Sequence, residues 1–177
     1  YAYLTTDDSR YASRAEREML AVSGWEEWNE RNLEDLSQLT LALAVGYDWL
    51  YRALPVHSRS IIGTAIYEKS LQKVEGVSFE GENAMAAVGM IYGALATLER
   101  APEFCRAMVE RCAAAMPSLL ERYADDGAFQ TDAEDWQRNT EATVLLAAAL
   151  ESAAGNDMGA SSHRGFMLSS SLMTNLV

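Results

Sequence analysis

The sequence predicts an all-α fold, on three observations. Apolar residues recur at three- and four-residue intervals through most of the chain, which is the helical period. Pro and Gly mark the breaks between these periodic segments. Alternating runs of β-branched residues, the mark of strands, are nearly absent.

The first helix is predicted from Asp7 or Asp8 to about Val22, with acidic residues at its start and Gly24 as its breaker. The second covers about Leu33 to Tyr51. Leu39, Leu41, Leu43, Val45 and Trp49 make it apolar nearly all round, so it is expected to be buried on several sides. Pro55 ends that unit. A third helix, about Ser58 to Val74, sets Ile62, Ala65 and Ile66 on one stripe, and a Gly- and acid-rich loop from Glu75 to Glu82 follows. His57 is expected in the loop after Pro55, as a plain surface residue.

The fourth helix, about Asn83 to Glu99, is dense in Ala, Gly and Met, which lets its backbone approach its neighbours closely. Pro102 suits the first turn of the fifth, where Phe104, Met108, Cys112, Ala115, Leu119 and Tyr123 keep the helical spacing. Asp125-Asp126-Gly127 stops it. A loop to about Gln137 leads into the sixth helix, which ends before Gly155. Residues 161–177 are Ser-rich, lack a helical period and are expected to be an extended tail. Six helices with short links suggest stacked antiparallel hairpins. No tetratricopeptide or armadillo period is visible, so pattern alone leaves bundle, solenoid and toroid open.

The 177 residues, 49% of them hydrophobic, suffice for one ordinary domain. With 26 acidic and 14 basic residues the formal net charge is -12. That excludes a basic nucleic-acid-binding face, because phosphate contacts need clustered Lys and Arg. No apolar run approaches the roughly 20 residues of a membrane span, so no membrane partner is expected. The chain opens at Tyr1, not Met, which suggests a longer parent. Cys105 and Cys112 are two helical turns apart, about 10 Å, too far for a disulfide. With only two His residues besides, no metal-ligand spacing exists, and neither metal nor cofactor is expected.

The ordered phrases "YAYLTTDDSRYASRAEREML", "LTLALAVGYDWLYRALPVHSRSIIGTAIYEKSL", "NAMAAVGMIYGALATLERAPEF", "AMPSLLERYADDGAF" and "NTEATVLLAAALESAAGNDMGASSHRGF" resemble successive helices of the heparinase II/III-like family. The resemblance covers nearly the whole chain. It implies an incomplete (α/α) toroid of antiparallel helical hairpins over residues 1–160, with residues 161–177 leading toward a C-terminal β-sandwich domain of the parent chain. It also implies an acidic polysaccharide or oligosaccharide as partner, cleaved at uronic acids by β-elimination, and a periplasmic or secreted location.

Elimination beside a uronate requires a group that neutralises the carboxylate, a base for the adjacent proton and an acid for the leaving oxygen. The family supplies Asn, Tyr and His. Its Asn-Trp-Asn-x-Val-Cys-Asn-Gly-Gly segment is here "GENAMAAVG". Asn83 matches the second Asn and Gly89 the last Gly, while Gly81 and Glu82 replace the first Asn and the Trp. The resemblance makes Asn83 a carboxylate neutraliser; its bland role is that of a helix cap.

The family's second segment, Asp-Gly through Tyr-Trp-x-Tyr-Gly-Thr, is here "DGAFQTDAEDWQRNT". Asp126, Gly127, Trp136 and Thr140 match, whereas Arg138 stands where a catalytic phenol is expected. Arg cannot act as a base, though it can pair with a carboxylate. In the second helix Asp35 matches the family's Asp and Gln38 replaces its Glu. Trp136, Arg138, Asp35 and Gln38 are thus the expected substrate contacts. Trp25, Trp28 and Trp136 also lie near predicted loops, where a ring can stack on sugar or simply pack between helices. Substitutions fall on polar, site-forming positions and spare the packing ones. That contrast suits a lyase-like domain of altered or lost activity, and equally a non-catalytic carbohydrate-binding or structural domain.

Overall fold

The computed structural model describes residues 1–175, and among these the fold is all-helical. The elements are α1 (Ala2–Thr6), α2 (Ser9–Ser23), α3 (Leu33–Trp49), α4 (Val56–Lys69), α5 (Ala87–Ala96), α6 (Pro102–Ala113), α7 (Met116–Leu120), α8 (Ala133–Ala154) and α9 (Arg164–Asn175). Short 3-10 turns occupy Leu71–Val74, Gly81–Ala86 and Ala160–Ser162. No strand occurs among the described residues; Tyr123 and Phe129 form an isolated antiparallel bridge.

Local chemistry places most helix starts. Asp8, Asn32 and Asp132 each accept backbone N–H bonds at the starts of α2, α3 and α8. Pro102 opens α6 where its missing N–H is harmless. The single helix expected from Pro102 to Tyr123 is in fact two. Pro117 lies in the first turn of α7, a position it tolerates, whereas inside a continuous helix it would remove a hydrogen bond and clash with the preceding turn. Helix α8 begins at Ala133, earlier than the expected loop to Gln137 allows. His57 sits in the first turn of α4 and not in a loop.

Residue pairings fix how the helices run. Ser37 meets Gly89 and Thr40 meets Gly93, so α3 and α5 point the same way. Tyr92 of α5 reaches the Leu145 carbonyl of α8, while Met85 and Val88 share a depression with Arg138 and Ala142, which gives α8 that direction too. Helix α4 runs oppositely: Ser70 bonds Thr40 and contacts Met90, whereas Gly63 lies near Tyr47 and Arg100. Helix α2 runs with α4, through Ser58 Oγ to Glu16 and Lys69 Nζ to the Ser23 carbonyl. Two layers result, with α3, α5 and α8 in one and the helices that return between them in the other.

The core lies between these layers. Leu36, Ile62, Ile66, Leu71, Met90, Ile91, Met108 and Leu146 are fully buried. Trp28, 2% exposed, belongs to this core, its indole N–H donating to the Val22 carbonyl. Cys105 and Cys112 are buried free thiols.

The tail expected to be extended is helix α9 through Asn175, and residues 176–177 lie outside the described residues. Its period was obscured by serines. Phe166 packs edge-on against Tyr123, and His163 Nδ1 accepts the Phe166 N–H at the helix start. The α9 backbone seats against small residues. A Cβ on Gly127, which has φ 91, would lie 2.8 Å from the Leu168 carbonyl carbon.

Candidate functional site

The amino ends of α3, α5 and α8 converge beside the 3-10 turn Gly81–Ala86. Two depressions meet there, both lined by Met85. The larger, about 460 Å³, lies between that turn, the end of α7 and the start of α8. It is bordered by Glu82, Ser118, Glu121, Arg122, Gln130 and Asn139. The smaller, about 50 Å³, lies between α3, α5 and α8 and brings together Glu34, Gln38, Arg138 and Glu141.

The turn is held in place from outside. Gly81, with φ 60, donates its N–H to Ser118 Oγ at 2.9 Å. Arg111 donates to the carbonyls of Val74 and Val77, and its guanidinium stacks 5.4 Å from the Phe79 ring. Helix α5 has no side-chain cap of its own. Ser37 Oγ, from α3, accepts the Gly89 N–H at 2.9 Å.

Gln38 and Arg138 are the two expected contact residues that share a depression. Arg138 is already engaged: its guanidinium donates to Glu34, and that carboxylate, with Asp135 and Glu134 behind it, holds the arginine above its ordinary pKa. Asp35 is exposed and points its carboxylate at Asn29 Nδ2, 2.7 Å away, which ties down the loop before α3. Asn83 lies inside the 3-10 turn, and its side chain donates 3.2 Å to the Ser78 carbonyl. The cap that sequence assigned to it is made by Ser37 instead. Trp136 is partly buried, with its indole N–H enclosed and unpaired. Trp25 is half exposed.

Arg122 was not foreseen. It donates 3.3 Å to the buried Asn139 amide oxygen, lies 3.7 Å from Asp135 and stacks 4.8 Å from the Phe129 ring. Asn139 in turn donates to the Leu119 carbonyl at 3.0 Å. Glu34 was also missed, because its significance depends on a residue 104 positions away.

The lining offers charged and hydrogen-bonding groups. Carboxylates, Ser118, Gln130 and Gln38 supply acceptors and donors, and both arginines are partnered within the protein. Among the described residues neither depression is lined by Tyr or His. The nearby phenols are committed elsewhere, Tyr123 to Thr140 Oγ1 at 2.8 Å and Tyr92 to the Leu145 carbonyl at 3.3 Å. No group of three or more His, Cys, Asp or Glu among the described residues is placed to hold a metal ion, and none of their helices is long and apolar enough to cross a membrane. No protein-family model matches the chain, and no curated protein matches it.

Proposed function

We propose that this chain is an arc of an (α/α) toroid whose paired depressions hold a carbohydrate without cleaving it. Support for the toroid comes from helix direction. Like-pointing α3, α5 and α8 form one layer with opposed helices between them, as inner and outer rings of such an arc require. A compact up-down bundle would instead alternate direction between adjacent helices.

The observation that carries the functional reading is the Arg138–Glu34 pair. Arg138 occupies the position where the resembling family keeps its phenol, and it is satisfied internally. The resembling family uses a phenol and a histidine at one point, and neither residue type lines these depressions. Glu34, Glu82, Glu121, Asp135 and Glu141 border the depressions, so a uronate would meet like charge, whereas neutral hydroxyls would meet acceptors. Gln38 is the expected contact residue best placed to donate to such a ligand. Asp35 and Asn83 act as supports for the adjoining loops.

Calorimetric titration of the chain with neutral, amino-sugar and uronate oligosaccharides, with ultraviolet absorbance followed in parallel, tests this. Binding of neutral sugars without new absorbance is expected. Growing absorbance from unsaturated uronate ends would overturn the non-catalytic reading, and absence of binding to every sugar would overturn the carbohydrate reading.

A further inference from the structure

The opposite end of the molecule, where α3 finishes, carries a second set of depressions. Volumes of about 580, 520 and 370 Å³ adjoin there, and Asp48 borders all of them. Tyr51 separates the first from the second, and Trp49 separates the second from the third. Both rings are large apolar surfaces left open, Trp49 being 47% and Tyr51 40% exposed. Arg59 lies 4.4 Å from the Tyr51 ring centre and Tyr47 meets it edge-on, so that ring is braced from behind.

Three charged groups around these rings are unspent. Asp48 is exposed, and neither it nor Asp7 nor Arg52, which border the same middle depression, makes a side-chain hydrogen bond or ion pair among the described residues. A single charged ligand would be attracted by one sign here and repelled by the other. A neutral ring bearing hydroxyls can accept from Arg52, donate to the carboxylates and lay its C–H face on an indole or phenol. The succession of open space, ring, open space, ring and open space suits a chain of such units better than one.

We propose that this surface is a saccharide-binding site for a neutral pyranose oligomer, independent of the depressions at the other end. Trp49 and Tyr51 provide the stacking faces and Asp48 accepts hydrogen bonds from the hydroxyls of neighbouring units.

Cellohexaose, a flat neutral oligomer, is a suitable probe. Calorimetry and the shift of the Trp49 indole resonance on titration should report saturable binding. Trp49→Ala should weaken it by about fivefold or more, which is the loss of about 1 kcal/mol of stacking. Asp48→Asn, which preserves shape, should weaken it several-fold. Gln38→Ala and Glu121→Gln, at the other end, should leave the Trp49 shift unchanged. No binding at millimolar probe, or binding that Trp49→Ala and Asp48→Asn leave intact, would overturn the proposal. Loss of the sugar heat in Gln38→Ala with no Trp49 shift in the parent chain would do the same, while supporting the first site.

Discussion

Gly89 donates its backbone N–H to Ser37 Oγ at 2.9 Å, and a Cβ on Gly89 would fall 2.0 Å from the Ser37 carbonyl oxygen. The seam between α3 and α5 therefore closes to backbone contact at this one point, and the same serine caps α5. Gly89→Ala forces the helices apart and should cost about 3 kcal/mol, lowering Tm by about 10 °C. Ser37→Ala keeps the approach but leaves a buried N–H unpaired, at about 1–2 kcal/mol. Thermal and urea unfolding followed by circular dichroism measures both. Equal stability of Gly89→Ala and the parent chain would contradict the close seam.

Arg138 and Glu34 form an ion pair whose side chains are about two-fifths exposed. Water and salt weaken such pairs, so Arg138→Ala should change stability by less than about 1 kcal/mol. Arg138→Tyr restores a phenol at that position but removes the one cation that faces Glu34 and Glu141 in that depression, so a uronate would meet only like charge. No ultraviolet signal from any uronate polymer is expected from this variant; a measurable one would mean that the site lacks the phenol alone.

Arg111 ties the segment before the 3-10 turn to α6 through two carbonyls and the Phe79 ring. Arg111→Leu should cost about 2 kcal/mol or more, since bonds from a charged donor are among the stronger ones. Limited proteolysis should then cut first between Glu75 and Glu82. Protection of that loop in the variant would show that Ser118 and the turn itself suffice.

Burial pushes both thiols up, Cys112 from 9.0 to about 12, and Thr97 offsets part of the rise at Cys105. Neither should react with a disulfide reagent at about pH 8 until the chain unfolds, because the thiolate is the nucleophile. The folded state keeps the Cys112 proton that the unfolded chain releases. This contribution to stability is complete below about pH 9 and is lost as pH rises toward about 12. Thiol titration with and without denaturant, together with urea midpoints across alkaline pH, checks both statements.

Helix existence was legible because apolar spacing is local information. Leu36, Ile62 and Met90 announce their buried faces by periodicity. The break at Pro117 was legible too, but its meaning depended on whether Pro lay at a start or an interior. Helix α9 was not, since its buried face is partly serine, Ser169 among it, and Gly127 and Gly165 of the seat and helix carry no side chain to signal contact. Of the candidate site, Gln38 and Arg138 were reached through motif positions alone. Their partners Glu34 and Arg122 look like ordinary surface charges until distant segments are brought together.

Like-pointing α3, α5 and α8 have an electrostatic consequence for a chain this acidic. Within that layer their peptide dipoles add, positive where these three helices begin and negative where they finish, while the opposed α2 and α4 offset part of the sum. Glu34, Asp35, Glu134 and Asp135 lie in first turns at the positive pole. Arg52 and Arg100 border the depressions at the negative one. Much of the carboxylate crowding at the mouth thus answers the backbone's own field, which is a reason for its presence that requires no bound cation.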